Sequence, residues 1–350
     1  MKMKKKTLGN LITYAIVIVA FLVCQWMISS GNMSRSMRGQ MVPICVYIVM
    51  AVSLNLVVGI SGELSLGHAG FMSVGAFSGA IASAWLLGAM GVENETLRLL
   101  LSMIVGGVFA GIAGVLIGVP VLRLRGDYLA IVTLAFGEII RNVLNCLYFS
   151  LEGRWLHVSF NNPNIPGTIL VNGPAGATGI SKIASFPMGF ALILFTLLVV
   201  LNLIDSRSGR AIMASRDNRI AAEAMGINVT KYKMMAFVTS AVLAGMAGAL
   251  YGLNFSTVAA SKFKFDTSIL VLVFVVLGGI GNIRGSIIAA ALLTILPELL
   301  RTFNDYRMLI YAIVLILVML ATNNPTIRSL VERILRRGDK DSEVKGGAVE

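Results

Sequence analysis

The chain has 350 residues, of which 57% are hydrophobic and 13% are charged, and its mean hydropathy is +0.84. Water-soluble globular domains carry about 25% charged residues, so this composition excludes that class and indicates an integral membrane protein. The net charge of +12 does not indicate a nucleic-acid-binding protein, because basic residues at the ends of apolar segments report membrane topology and contact with anionic lipid.

About ten apolar segments approach the roughly 20 residues that a helix needs to cross the hydrocarbon layer. The sequence therefore predicts an all-α polytopic membrane protein with about ten transmembrane helices. The first segment follows a lysine-rich start and has no small-residue cleavage site behind it, so we interpret it as a retained helix and not as a signal peptide. The predicted spans are residues 11–30, 41–60, 66–89, 99–120, 128–149, 187–204, 234–253, 267–283, 286–300 and 308–322.

Lysine and arginine residues accumulate in loops on the cytoplasmic side of a membrane, and this rule sets the predicted orientation. The basic N-terminus is predicted inside, and counting ten spans from it returns the C-terminus to the cytoplasm. The same count places loop 205–233 inside and loop 150–186 outside. We expect a permease domain over residues 1–334 and a disordered polar tail over 335–350. Four basic residues disagree with this topology: Arg35, Arg38, Lys262 and Lys264.

The segment from Gly59 to Ala80 is unusually rich in glycine for a membrane span. Glycine costs about 1 kcal/mol relative to alanine in a helix interior, so a broken or closely packed helix is predicted. Irregular backbone at membrane depth must be covered by protein or face a water-filled cavity, and this segment is therefore a candidate for the lining of a translocation path. A cytoplasmic turn between two spans is the alternative. The path candidates here are Glu63, Ser65, Gly67, His68 and Gly70.

Two segments resemble each other within the chain. AGIAGVLIG at Ala110–Gly118 matches AGMAGALYG at Ala244–Gly252 at every glycine, and each is followed by a polar turn with an aspartate and another apolar span. Two internal structural repeats are therefore predicted, and transporters commonly build their path where repeats meet. The alternative is that small residues simply recur where helices of a membrane bundle pack closely.

Glu138 lies in the middle of a predicted span. A carboxylate there costs several kcal/mol unless it faces the protein interior and is paired. Arg141, about one helical turn later, is the nearest partner in the sequence. A structural ion pair and a role in transport both stay open for Glu138.

Loop 205–233 is polar, and within it SRDNRIAAEAMG predicts a short surface helix. Ser215 or Asp217 is expected to cap its N-terminus, and Gly226 suits the left-handed position after its end. Three charged residues, Arg216, Arg219 and Glu223, share one face of this helix and are expected to point outward.

This loop resembles the EAA-type coupling loop of bacterial ABC importer permeases, although AAEAMG departs from the general form of that motif. Together with GISGELSLGHAGF, RLRGDYLAIVTLAFGEIIRN and VVLGGIGNIRGS, it is similar to the permeases of high-affinity branched-chain amino-acid transporters. The similarity extends over most of residues 43–300 and is greatest to the longer, Liv type M subunit. The tail after Ile334 has no counterpart in that family.

The resemblance implies a subunit of a heteromeric importer in the bacterial plasma membrane. Such an importer contains two permeases, two cytoplasmic ATPase subunits and an external solute-binding protein. It also implies that the loop couples to the ATPases, through Arg216, Asp217, Glu223 and Gly226. Further candidates for the translocation path are Glu138, Gly278 and Gly281.

No enzyme chemistry is predicted for the chain itself. It lacks the GxxxxGK[ST] phosphate loop, so ATP hydrolysis is assigned to partner subunits. It has no HExxH or GxSxG motif, and two histidines with three scattered cysteines give no metal-binding spacing, so no metal or cofactor is expected. Two alternatives to the branched-chain substrate assignment remain: a permease for urea or short-chain amides, and an autonomous secondary carrier that uses Glu138 as an ion relay.

Overall fold

The structure is a computed structural model that describes residues 2–31, 33–124, 126–153, 155–162 and 166–300, together with 309–310, 312–313 and 316. Two compact units are present, Met1–Thr294 and Ile295–Glu350. The predicted tail 335–350 lies outside the described residues, as does most of the predicted span 308–322.

The first unit consists mainly of helices. In the described part of the chain these are α1 (Lys2–Ser29), α2 (Arg35–Asn55), α3 (His68–Gly88), α4 (Glu95–Val121), α5 (Asp127–Asn145), α6 (Phe186–Asp205), α7 (Arg207–Asp217), α8 (Arg219–Ala224), α9 (Val229–Gly252), α10 (Phe265–Gly278) and α11 (Ile283–Leu299).

Six of these helices are long and apolar enough to cross a membrane, namely α2 with the turn that follows it, α3, α4, α5, α6 and α9. Shorter apolar segments occur within α1 and as α10. The chain is therefore a multi-pass membrane protein. The number of ten spans stays a prediction, although each of the nine spans predicted before residue 301 overlaps an α-helix.

Asparagine side chains begin several helices, because their oxygen accepts backbone N–H groups that have no partner within the first turn. Asn94 Oδ1 accepts from Thr96 N at 3.1 Å and starts α4, and Asn228 Oδ1 accepts from Lys231 N at 3.0 Å and starts α9. These caps fix where the chain leaves polar loops and enters apolar helices.

Helix α2 lies at the centre of the bundle, and from Met41 to Ser61 every residue except Tyr47 is buried. Helices α3, α4 and α9 pack against one another through glycine. A Cβ on Gly75 would collide with the backbone of Gly245, and a Cβ on Gly248 would collide with the carbonyl of Met72. Backbones therefore touch without intervening side chains, as expected for helices that associate in a membrane.

The two similar segments of the sequence lie on α4 and α9, and they touch where Gly245 packs against Ala110. The chain after α4 lines one end of the bundle, whereas the chain after α9 pairs with a strand at the other end. The two segments thus run in opposite directions. The existence of two internal structural repeats stays a prediction.

The all-α prediction is incomplete, because a small antiparallel sheet of order β2-β1-β3-β4-β5 is present. The span predicted over residues 128–149 was wrong at its end: α5 stops at Asn145 and the chain continues directly into a strand. The alternating apolar and polar residues of Leu147–Glu152 and Trp155–Phe160 form a hairpin, with Gly153 at φ +60° in its tight turn. The strands are β1 (Leu147–Glu152), β2 (Trp155–Phe160), β3 (Thr168–Asn172), β4 (Ala177–Thr178) and β5 (Thr257–Val258).

The sheet marks one end of the bundle, which we call the sheet end. There Ala177 of β4 pairs with Val258 of β5, so loop 150–186 meets the loop after α9. The opposite end, the loop end, brings together residues 62–64 and 217–220 with Leu124 and Gly126. The structure groups these loops as the topology prediction does, and which end faces the cytoplasm stays a prediction.

Candidate functional site

The glycine-rich segment is a broken helix. After α2 the chain forms a π-helical turn, Leu56–Ser61, which ends at Gly62 with φ +76°, and α3 begins only at His68. Helices with this i→i+5 turn are rare and often mark functional positions. The turn itself is buried in the bundle, whereas Glu63 and Leu64 reach the loop end. The broken helix is confirmed, and a role of this segment in lining a translocation path stays a prediction.

Asn55 joins this broken helix to the turn after α10. Its Oδ1 accepts a 2.8 Å hydrogen bond from Gly281 N, and its Nδ2 donates a 2.9 Å hydrogen bond to Ser286 Oγ. Gly59 lies against the same group, because a Cβ there would collide with the side chain of Asn55 and the backbone of Gly281. Sequence reasoning missed Asn55, although a fully buried amide within the apolar run VSLNLVVG is a recognisable signal.

His68 is a buried, hydrogen-bonded residue between helices. Its Nε2 lies 2.8 Å from Ser53 Oγ, and the hydroxyl of Ser240 donates a 2.6 Å hydrogen bond to the carbonyl of Ser53. His68 therefore connects α3 to α2, and Ser240 connects α2 to α9. The neighbouring Ser65 is also buried, and its hydroxyl has no hydrogen-bond partner in the described part of the chain.

Gly67 and Gly70 let α3 approach α5. The backbone N–H of Leu66 donates a 3.0 Å hydrogen bond to Thr133 Oγ1, and a Cβ on Gly67 would collide with the carbonyl of Thr133. A Cβ on Gly70 would lie 3.0 Å from the Cα of Gly137. The two helices are in backbone contact at this point.

Glu138 pairs with Arg141, its Oε2 accepting from Nε at 2.7 Å and lying 2.6 Å from Nη2. This is the partner predicted from the sequence, and the geometry supports the structural alternative for Glu138. Of the two remaining path candidates, Gly281 belongs to the Asn55 group. Gly278 packs instead against the start of α11, where a Cβ would collide with the backbone of Ser286.

The polar loop forms two helices, α7 and α8, where the sequence predicted one. Neither Ser215 nor Asp217 caps the short helix: the cap is Asn218, whose Oδ1 accepts from Ala221 N at 3.0 Å. Ser215 instead donates to the carbonyl of Ile212 at 2.7 Å. Asp217, the last residue of α7, accepts from Arg216 at 3.0 Å.

Arg216 reaches back to the broken helix, which corrects the expectation that its charge is directed only outward. Its Nη1 donates a 2.7 Å hydrogen bond to the carbonyl of Gly59 in the π-helical turn, although 40% of its side chain stays exposed. Arg219 and Glu223 form an ion pair at 2.8 Å, with 33% and 49% of their side chains exposed. The polar loop is thereby attached to the break in the central helix.

Two large apolar side chains of α8 and the turn after it are strongly exposed. Ile220 is 81% exposed and Met225 is 82% exposed, whereas Ala222 is buried. Gly226 adopts φ +77°, as predicted, with open space around it. The short helix thus presents bare apolar side chains at the loop end of the bundle.

A cavity of about 520 Å³, the loop-end cavity, lies between this helix and the broken segment. Glu63 and Lys233 form an ion pair within its lining. The lining is completed by Gly62, Leu64, Leu124, Gly126, Asp217, Asn218, Arg219 and Ile220. Residues from three separate loops therefore meet around one polar space. No group of His, Cys, Asp and Glu in the described residues is arranged to hold a metal ion.

Comparison with known proteins gives a consistent answer. A family described as "Branched-chain amino acid transport system / permease component" matches residues 37–319. The chain is 33% identical to the high-affinity branched-chain amino acid transport system permease protein LivM of Escherichia coli, over 89% of this chain and 74% of that protein. It is also 28% identical to the ribose import permease protein RbsC of Escherichia coli, over 79% of this chain and 81% of that protein. No solved structure matches the chain.

Proposed function

Because the chain belongs to the family of permease components of branched-chain amino acid transport systems, we propose that it forms the translocation path for branched-chain amino acids in an ABC importer. The family assignment carries the substrate class, since the E. coli relative is named for branched-chain amino acids. The ribose permease of E. coli is similar in sequence over most of this chain although it is named for a different substrate. Particular side chains, and not the fold alone, therefore set the substrate.

The observation that carries the coupling proposal is the hydrogen bond from Arg216 to the carbonyl of Gly59. It joins the loop proposed to receive the ATPase to the irregular turn of the central helix. A hydrogen bond from a charged donor is stronger and more directional than a neutral one. Movement of α7 is therefore transmitted to the π-helical turn.

Two further contacts extend this connection. Gly59 lies against Asn55 and Gly281, so displacement of the turn reaches the segment between α10 and α11. The ion pair between Glu63 and Lys233 ties the end of the broken segment to the first turn of α9. Closure at the loop end thus acts on α2, α9 and the α10–α11 turn together.

Partner subunits follow from this arrangement. The chain supplies no phosphate loop of its own, so we assign ATP hydrolysis to two cytoplasmic ATPase subunits. Ile220 and Met225 offer the exposed apolar surface that a docking partner would cover. A second permease and an external solute-binding protein complete the proposed importer, and the loop end and both termini face the cytoplasm.

The proposal is tested in proteoliposomes that contain the full chain co-purified with its native partners. We expect leucine uptake that requires internal ATP and external binding protein, and that continues when an ionophore removes the proton gradient. Uptake that follows the proton gradient without ATP would instead identify an autonomous carrier.

The coupling contact is tested in the same vesicles with Arg216→Gln. This variant is expected to lower uptake and binding-protein-stimulated ATP hydrolysis together by about 10- to 100-fold, the range for loss of one charged hydrogen bond. Arg210→Gln on the same helix removes the same charge from an exposed position and should retain wild-type activity. Unchanged coupling in Arg216→Gln would contradict the proposed connection.

A further inference from the structure

A second cavity lies at the sheet end, on the opposite side of the bundle from the polar loop. Its volume is about 350 Å³, within the range of small-molecule sites. The walls come from the second half of α3, from β1 and β3, and from residues 178–181. Most of them are aliphatic, including Ile81, Leu87, Leu151 and Ile180. We call this space the sheet-end cavity.

Four hydroxyl-bearing residues line this space, Ser83, Thr168, Thr178 and Ser181, and Thr168 Oγ1 already donates to the carbonyl of Leu151. Ser83 Oγ is buried and has no hydrogen-bond partner in the described residues. A buried hydroxyl without a partner is uncommon in folded proteins and requires an explanation, such as a water molecule or a ligand. Ser181 lines the same cavity and accepts a 3.2 Å hydrogen bond from Arg98 Nη2, which leaves its own O–H free to donate.

Arg98 is a buried cation immediately behind Ser181. Arg98 as a whole is only 4% exposed, and its Nε is buried without a hydrogen-bond partner among the described residues. None of the ion pairs formed by the described residues includes Arg98. Buried guanidinium groups are normally paired, because an uncompensated buried charge is costly. An anion bound beside Ser181 would compensate this charge.

We propose that the sheet-end cavity binds the carboxylate of the transported amino acid. The hydroxyls of Ser83 and Ser181 donate to the carboxylate, Arg98 supplies the compensating positive charge through Ser181, and the aliphatic walls accept the branched side chain. This inference rests on the proposed function, which it deepens by naming where the substrate first binds the permease. Arg98 acts as a positioning residue for Ser181.

The composition of the lining favours a carboxylate over a cationic group. No acidic residue lines the cavity, so a ligand ammonium would meet only neutral acceptors, the hydroxyl oxygens and backbone carbonyls, close to the buried cation Arg98. A carboxylate instead meets two hydroxyl donors backed by a guanidinium, and hydrogen bonds to an ionised acceptor are the stronger kind. The substrate's ammonium group is thus less important for binding than its carboxylate.

The test uses the full importer complex in lipid nanodiscs without binding protein, and it measures displacement of radiolabelled leucine. The competitors are leucine itself, 4-methylpentanoate, which keeps the carboxylate and lacks the ammonium, and leucinamide, which lacks the carboxylate. We expect 4-methylpentanoate to compete within about tenfold of leucine, and leucinamide to compete on the order of 10- to 100-fold more weakly. Equal competition by leucinamide would overturn the proposal.

Variants test whether the preference for leucine over leucinamide arises in the sheet-end cavity. Arg98→Gln and Ser181→Ala should each lower leucine affinity about tenfold or more and reduce the preference for leucine over leucinamide. If Arg98 and Ser181 had only a structural role, these variants would weaken the binding of leucine and leucinamide equally. Arg98→Lys keeps the charge and should restore part of the preference, and Lys182→Gln, an exposed neighbour that does not line the cavity, should leave it unchanged.

The outcomes separate this inference from the proposed function. If Arg98→Gln is not recovered as an assembled complex, Ser181→Ala at an exposed position decides the question. ATP-driven leucine uptake with an unchanged ligand preference in Ser181→Ala would reject the cavity and retain the proposed function. Absence of leucine uptake by the wild-type complex would reject the branched-chain assignment, and binding of 4-methylpentanoate that depends on Arg98 would still support a carboxylate site.

Discussion

The carboxylate of Glu63 forms an ion pair with the ammonium group of Lys233, which lies 170 residues later in the chain. The Glu63 side chain is 14% exposed and that of Lys233 is 11% exposed, so both charges are largely removed from water. The pair closes one wall of the loop-end cavity. It also fixes the irregular segment between α2 and α3 to the N-terminal turn of α9.

Removing one partner of this pair should therefore be costly. We expect Glu63→Gln to lower the free energy of unfolding in detergent by on the order of 1–3 kcal/mol, because Lys233 is left with an uncompensated charge in a mostly buried position. Glu223→Gln, which breaks the more exposed pair with Arg219, should cost no more than about 1 kcal/mol. The exchange Glu63→Lys with Lys233→Glu should recover part of the loss, and equal thermal stabilities for all three variants would contradict the assignment.

The contact between α3 and α5 predicts the behaviour of Gly70→Leu. A Cβ at this position lies 3.0 Å from the Cα of Gly137, and a leucine side chain would push the helices apart. We expect leucine uptake to be abolished while membrane insertion and assembly stay near normal. Gly39→Leu, at an exposed helical position with open space around it, is the matched control and should transport normally. Retained uptake in Gly70→Leu would argue that this close approach has no role in transport.

Gly226 tests the shape of the coupling loop without a steric clash. Nothing lies within 4 Å of a Cβ there, but its φ of +77° is strained for a β-branched residue by about 1–3 kcal/mol. Gly226→Val should therefore lose uptake and stimulated ATP hydrolysis together. Gly226→Asn should retain both, since asparagine tolerates this conformation. Coupled transport in the valine variant would show that the turn geometry is unimportant.

Charge reversal at Glu223 tests the surface of the same loop. Glu223→Lys replaces the ion pair with Arg219 by a repulsion and reverses the charge offered to an ATPase. We expect the variant to insert and to assemble with the second permease, but to show little binding-protein-stimulated ATP hydrolysis. Glu223→Gln serves as the control, because it removes the charge without reversing it, and should retain more than half of the activity. Wild-type hydrolysis by the lysine variant would exclude Glu223 from the coupling surface.

Membrane orientation can be measured with single cysteines at three exposed positions, Glu93, Asn172 and Asn218. We expect an impermeant thiol reagent to label the first two from outside intact cells and Asn218→Cys only from inside. The exposed Cys146 must be replaced beforehand. Labelling of Asn218→Cys from outside would invert the topology and place the polar loop on the wrong side for an ATPase.

The sequence predicted the helices well, because membrane spans are long apolar runs whose length is fixed by the bilayer. It failed at residues 147–149, the end of the span predicted over 128–149, which follow α5 but begin strand β1. A helix and a strand cannot be distinguished by hydrophobicity in so short a run, and the pairing partners of β1 lie elsewhere in the chain.

The site was predicted less completely than the fold. The close backbone approach at Gly70 and the left-handed conformation of Gly226 were predicted correctly, because glycine has few structural uses and each leaves a local signal, whereas their roles in transport stay predictions. Asn55 and Arg98 were missed, since their importance depends on partners 226 and 83 residues away along the chain. The direction of Arg216 was wrong because the periodicity of one helix does not reveal a break after Asp217.

The glycine contacts between α3, α4 and α9 limit where the protein can change shape. Gly75, Gly245 and Gly248 place backbone directly on backbone, so no side chain there can change rotamer to absorb a sliding movement. These three helices must then travel as one rigid body during a transport cycle. Rotation relative to the neighbouring helices is then left to irregular backbone at its border, such as the π-helical turn Leu56–Ser61, which ends at Gly62 with φ +76° ahead of α3.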